Sequence, residues 1–110
     1  MKPRGRPKKE RVVQSEPWIT QFSPRGKPGR PDEAVLTIDE FEALRLVDFM
    51  GLPQKEASLV MQISQQTLSR ILKRARRVTA GAIVEGKIIR IQGGKYALNS
   101  RKTSVINSPK

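Results

Sequence analysis

The chain has 110 residues, which suits one small domain with a thin core and leaves little room for a large catalytic cleft. Its 22 Lys plus Arg against 10 Asp plus Glu give a formal charge of +12 and a sequence pI near 11.0, a balance that favours polyanionic partners because each phosphate neutralised releases condensed counterions. Cysteine and histidine are both absent, which removes disulfides, thiolate catalysis, imidazole acid/base chemistry and every Cys/His zinc pattern. A carboxylate or Ser/Lys mechanism stays formally open, yet no such residue is paired with a recognisable orienting group. Acidic membranes compete with nucleic acid for the positive charge. However, no run approaches the roughly 18 apolar residues of a spanning helix, and no apolar segment follows the basic start as a signal peptide requires. The expectation is a cytoplasmic protein that is not an enzyme, has no cofactor or metal, and does not enter a membrane.

Residues 1–30 hold nine basic and two acidic groups, net +7, among many Pro and Gly, and are expected to form a flexible arm that ends at residue 31. Pro3-Arg4-Gly5-Arg6-Pro7, followed by Lys8 and Lys9, resembles the core of an AT-hook. Proline keeps the backbone extended, Gly5 allows it to approach the groove floor, and Arg4 and Arg6 can run along a narrow A·T minor groove. The same residues also read as a solvated tail that adds only phosphate attraction. Pro24-Arg25-Gly26-Lys27-Pro28-Gly29-Arg30-Pro31 is a looser echo without the second Arg in register.

Residues 31–63 hold two basic and seven acidic groups, net −5, while residues 64–110 hold eleven basic and one acidic, net +10. An acidic helical scaffold ahead of a basic helix would orient the molecule on a duplex, or else both are solvated faces. Thr37-Ile38-Asp39-Glu40 has the form of a capping box, so a helix is expected to start there. Phe41, Leu44 and Val47 then recur at helical spacing and Gly51 ends the run. Pro53 suits a first-turn position, and Gln54 to Met61 reads as a short helix whose Ala57 and Ser58 permit close approach of a neighbour.

Gln62-Ile63-Ser64 is the next break, with Ile63 as a buried turn residue and Ser64 as N-cap. From Gln65 to about Val84, Leu68, Ile71, Leu72, Ala75, Val78 and Ala82 make a continuous apolar seam, so the helix is amphipathic. Two helices joined in this way predict a helix-turn-helix whose second helix enters the major groove of double-stranded DNA. Gln65, Gln66, Ser69 and Arg70 project from the first two turns and are the expected base readers, Gln toward adenine and Arg toward guanine. Ser64, Thr67, Lys73, Arg74 and Arg77 are the expected phosphate contacts. The same pattern also fits an ordinary three-helix bundle whose polar face touches nothing.

Lys87 to Ile91 and Lys95 to Leu98 flank Gly93-Gly94, which predicts a short hairpin with glycines at positive φ, acting as a wing or merely covering the core. Residues 99–110 are polar and aperiodic and are expected to be disordered. The expected fold is therefore mainly α: a flexible basic arm over 1–31, a three-helix helix-turn-helix domain over 32–98 with a short C-terminal β-hairpin, and a tail over 99–110.

Three stretches carry a resemblance to a known family: Leu36-Thr37-Ile38-Asp39-Glu40-Phe41-Glu42-Ala43-Leu44-Arg45-Leu46, Gly51-Leu52-Pro53-Gln54-Lys55-Glu56-Ala57, and Ile63-Ser64-Gln65-Gln66-Thr67-Leu68-Ser69-Arg70-Ile71-Leu72. With Arg6-Pro7-Lys8-Lys9, Phe22-Ser23-Pro24-Arg25-Gly26 and Arg90-Ile91-Gln92-Gly93-Gly94-Lys95-Tyr96, they resemble the UPF0251 (DUF134) family of prokaryotic proteins. The resemblance implies DNA binding through a helix-turn-helix similar to region 4 of sigma-70 factors. Two positions depart from the family pattern. Gln62 stands where Gly is usual, placing a side chain at a left-handed position, and Glu10 stands where Cys is frequent, which argues against a metal or redox role.

Three functions follow as expectations: a site-specific transcriptional regulator, an architectural protein that prefers A·T-rich DNA, and a sigma-like module whose acidic helix 38–50 meets the transcription machinery. RNA is disfavoured because the five aromatic residues are scattered and form no stacking platform. One short recognition helix reads few base pairs, so a homodimer on half-sites one helical turn apart is expected, with Val78 and Ala82 extending into its interface.

Overall fold

Residues 10–99 are described in the computed structural model of the protein. They run in the order β1 (Arg11–Val13), β2 (Gln21–Phe22), β3 (Glu33–Leu36), α1 (Ile38–Ala43) continued by a π-helical turn over Leu44–Phe49, α2 (Gln54–Met61), α3 (Gln65–Glu85), β4 (Ile88–Ile91) and β5 (Tyr96–Leu98). The helix boundaries follow from local chemistry. At the start of α1 the Thr37 hydroxyl accepts from the Glu40 N–H at 3.4 Å and the Glu40 carboxylate accepts from the Thr37 N–H at 3.0 Å, the reciprocal capping box. The following turn widens, with the Met50 N–H donating to the Arg45 carbonyl at 2.8 Å, and Gly51 leaves the helix at φ 81. Pro53 is the N-cap of α2 at φ −61 and ψ 151, one position ahead of the first turn, where its missing N–H costs nothing. Gln62 closes α2 in the left-handed region at φ 57 and ψ 43. Ser64 opens α3 by accepting from the Thr67 N–H at 3.0 Å.

The apolar seam of α3 serves two cores. Its first half, Leu68, Ile71 and Leu72, packs with Ala43, Leu46, Ala57 and Met61 from the other helices, and Ile63 in the turn leans on this cluster. Its second half adds Ala75 to a cluster of Val13, Leu36, Ile38 and Ile91, against which Val78 and Tyr96 pack. The second cluster comes largely from strands, and the architecture is therefore mixed α/β rather than mainly α.

The strands correct two expectations. No hairpin forms about Gly93-Gly94: β4 lies between β2, antiparallel, and β3, parallel, while β5 pairs in parallel with β1. Both glycines do take positive φ, 75 and 95, but they serve a close approach instead of a strand reversal. Gly93 accepts from the Ile38 N–H at 3.0 Å, and a Cβ on Gly94 would fall 2.5 Å from the Asp39 carboxylate and 2.8 Å from the Thr37 side chain. The segment 1–31 is also more than an arm, because Arg11–Val13 and Gln21–Phe22 are strands and Val13 is fully buried. Its β-branched pair Val12-Val13 suits a strand, and only a partner 85 residues away shows it. Asn99, placed in the tail above, donates its N–H to the Val13 carbonyl at 2.9 Å. Residues 100–110 and the segment Arg4, Gly5, Arg6, Lys8 and Lys9 lie outside the described residues.

Candidate functional site

Because α3 buries Leu68, Ile71, Leu72 and Ala75, the residues between them must face outward. Gln65, Gln66, Ser69, Arg70, Lys73 and Arg77 are all exposed. At about 100° per residue, Gln66, Arg70, Lys73 and Arg77 fall within an arc of about 60°. No carboxylate occurs on α3 before Glu85, and Arg70, Lys73 and Arg77 form no hydrogen bond or ion pair with the described chain. The row is therefore a set of free cations and amides rather than part of an internal salt-bridge lattice.

At the N-terminal end of this row a concave surface of about 680 Å³ is enclosed by the end of α2, the left-handed turn and the first turns of α3. Ser64, Thr67 and Arg70 meet there with Gln62 and with Arg11 of β1, and no carboxylate lines it. Ser64 and Thr67 are joined by a 2.9 Å hydroxyl contact. The capping bond satisfies the Thr67 N–H, leaving the first N–H groups of α3 directed outward at the positive end of the helix dipole. Two guanidinium groups and two hydroxyls line the surface, a donor set whose chemistry suits anionic oxygen. Gln65, Gln66 and Ser69 stand outside this concavity. Arg77 lies farther along, beside Arg74 and Lys87.

Arg11 is the contributor that sequence reasoning missed. The basic, Pro- and Gly-rich composition around it reads as an arm, yet a cation ahead of two valines also fits the start of a strand. β1 holds it in place, and Asp39, largely buried, pairs with it loosely at 3.8 Å. In sequence Arg11 directly follows the basic segment 1–10.

Arg74 has a different occupation from the one expected. Its guanidinium reaches Glu40 at 2.7 Å, and the Glu40 side chain is only 6% exposed, so Arg74 supports the start of α1 from α3. The acidic stretch 38–50 is likewise mostly turned inward. Glu42 is fully buried, accepts from Arg45 at 2.8 and 3.0 Å and from the Gln14 N–H at 3.2 Å. That hydrogen bond raises the Arg45 pKa against the opposing effect of burial. Asp48 is exposed but bonded to Arg76 at 2.8 and 3.0 Å, which lowers its pKa. The stretch presents no free acidic face of the kind expected for docking on a protein partner.

Among the described residues no group of three or more His, Cys, Asp or Glu stands where it could hold a metal ion, and no helix is long and apolar enough to cross a membrane.

Several curated proteins are similar over most of the chain. A UPF0251 protein of Desulfosudis oleivorans is 50% identical over 92 residues, covering 83% of this chain and 67% of the relative. One from Thermoanaerobacter pseudethanolicus is 48% identical over 92 residues, covering 83% and 78%, and one from Methanococcus maripaludis is 45% identical over 96 residues, covering 86% and 74%. No solved structure matches. The family model described as "Protein of unknown function DUF134" spans residues 1–99, and the chain belongs to that family.

Proposed function

We propose that the protein is a cytoplasmic, non-enzymatic transcriptional regulator that binds double-stranded DNA in a sequence-specific way, with α2, the turn at Gln62 and α3 acting as a helix-turn-helix. One observation carries the reading: a Ser64-capped helix, braced by a partner helix through a left-handed turn, carries an outward row of amides and unpaired cations with no carboxylate among them. In this reading Gln65, Gln66, Ser69 and Arg70 read base edges, while Lys73, Arg77 and the N-terminal end of α3 at Ser64 and Thr67 hold phosphates. Arg11 belongs with the phosphate contacts. The arm, directly ahead of Arg11 in sequence, can reach about 30 Å from residue 9 at full extension, far enough to place Arg4 and Arg6 in the adjacent minor groove. That same adjacency favours a second reading, an architectural protein that uses the arm on A·T-rich duplexes.

Selection of bound sequences from random duplexes at fixed salt, followed by competition against excess random duplex, separates the two. A specific regulator retains its site under competition, and an architectural protein releases it. Selection that converges on no sequence and yields no A·T bias sinks both.

A further inference from the structure

α3 has a third face, neither packed on the cores nor part of the basic row, and it is apolar. Ala80 and Ile83 lie on it, and Phe49 and Phe22 border it from the π-helical turn and from β2. Phe49 is 84%, Ile83 73% and Phe22 52% exposed, and the groove between them has a volume of about 830 Å³. Clustered exposed apolar side chains of this kind mark contact surfaces on soluble proteins. Val78, expected to reach an interface, packs against the second core instead, and Ala82, expected beside it, is only 2% exposed.

We propose that this face is the interface of a two-fold homodimer. Charge selects the occupant. Two chains of formal charge +12 repel wherever their basic surfaces approach, but the charged groups at this rim are already neutralised, Arg76 by Asp48 and Arg45 by Glu42. A nucleic acid finds an apolar floor here, and an acidic partner finds no free cation. A second copy finds apolar surface like its own, and across a two-fold axis each Asp48 can meet the other copy's Arg76 as well as its own.

Geometry gives a second argument, which rests on the DNA-reading proposal. At 100° per residue, Arg76 and Ile83 lie about 80° and 100° round α3 from Gln66. The groove therefore faces sideways, and a two-fold axis parallel to the reading direction turns both reading faces to the same side. Along the helix the reading segment and the groove, centred near residues 68 and 80, are about 18 Å apart. An axis through the groove then sets the two reading segments up to about 36 Å apart, against about 34–36 Å for half-sites one turn apart.

Sedimentation velocity of the full chain from low to high micromolar concentration tests the interface. The wild type should form dimers, and the double variant Phe49→Glu with Ile83→Glu should be monomeric yet cooperatively folded, melting as the wild type does at concentrations low enough to dissociate it, both positions being exposed. A second variant guards against misfolding: the chain has no cysteine, so a short bis-maleimide should couple Ala80→Cys into dimers but leave Leu59→Cys uncoupled. A wild type that stays monomeric, with or without duplex, overturns the proposal, as do equal coupling at both positions and a folded double variant that still dimerises. A dimer through this face with no sequence converging in the selection would leave the interface standing and remove the DNA reading. A monomer on a single half-site would do the reverse.

Discussion

Arg70 and Arg74 lie one turn apart on α3, but only Arg74 is engaged within the fold, and replacing each with alanine separates the proposed binding role from stability. Arg70 is exposed and bonded to nothing in the described chain, so Arg70→Ala should change folding by less than about 0.5 kcal/mol. On the preferred duplex it should cost about 1–3 kcal/mol, a loss of roughly 5- to 150-fold, and relax selectivity at one base-pair position. Arg74→Ala strands the Glu40 carboxylate, 5% exposed as a residue, with the Thr37 N–H at 3.0 Å as its remaining hydrogen bond. Breaking a fully buried pair costs about 3–5 kcal/mol and an exposed pair less than about 1. The Arg74 side chain is 66% exposed, so the loss should be about 1–2 kcal/mol, or a fall in Tm of roughly 5–15 °C. Thermal melts by circular dichroism and fluorescence-anisotropy titrations on specific and random duplexes give both quantities. An Arg74→Ala protein that melts like the wild type refutes the bracing role. An Arg70→Ala protein that weakens all duplexes equally refutes base reading at that position.

Four further outcomes are expected. Gln62→Gly relieves a side chain held at φ 57 at some cost in unfolded-chain entropy, and should raise stability by about 0.5–1 kcal/mol; an unchanged or lower Tm would contradict this. Gly94→Ala forces a Cβ to within 2.5 Å of Asp39 at φ 95 and should lower stability by about 2–3 kcal/mol in denaturant titration, whereas a neutral result would mean that the loop moves freely. Hydrogen bonds from Arg90 and Arg76 lower the pKa of Glu33 and Asp48 in the fold, so their contribution is present above the ordinary carboxylate pKa and is lost as pH falls through the depressed values. Glu33→Gln with Asp48→Asn should flatten that part of the acid melting profile, and an identical profile would count against both pairs. If about eight phosphates are neutralised, log affinity should fall against log salt with a slope near −7, and Lys73→Ala should reduce it by about one. A slope shallower than about −3 would contradict phosphate-driven binding.

What the sequence revealed was local. Thr37 with Glu40, Gly51, and Ser64 before a seam of period 3.6 each act within a few residues, and the helix starts and stops they imply are those observed. The row of exposed residues on α3 follows from the same periodicity. What stayed hidden depends on partners remote in the chain. Ile88 to Ile91 reads as a strand, but its neighbours Gln21–Phe22 and Glu33–Leu36 precede the whole helical region, so proximity in sequence points to Tyr96–Leu98, which pairs elsewhere. The carboxylates of α1 looked like a solvated face because Gln14 and Arg74, which hold Glu42 and Glu40 in the interior, come from elements on either side of the helix. Arg11 was obscured for the same reason.

The parallel pairing of Arg11–Val13 with Tyr96–Leu98 has a consequence for the order of folding. The helices can gather around their own cluster from contacts close in sequence, and such contacts form early. The strand carrying Arg11 has no hydrogen-bonding partner until residue 98 has been synthesised, and joining the two closes a loop that holds nearly the whole described chain. During synthesis α3 is able to form while Arg11–Val13 still lacks its strand partner. The strand that brings Arg11 to Arg70 thus depends for its backbone hydrogen bonds on the far end of the described chain, although Val13, Arg11 and Gln14 also hold it to α1 and α3.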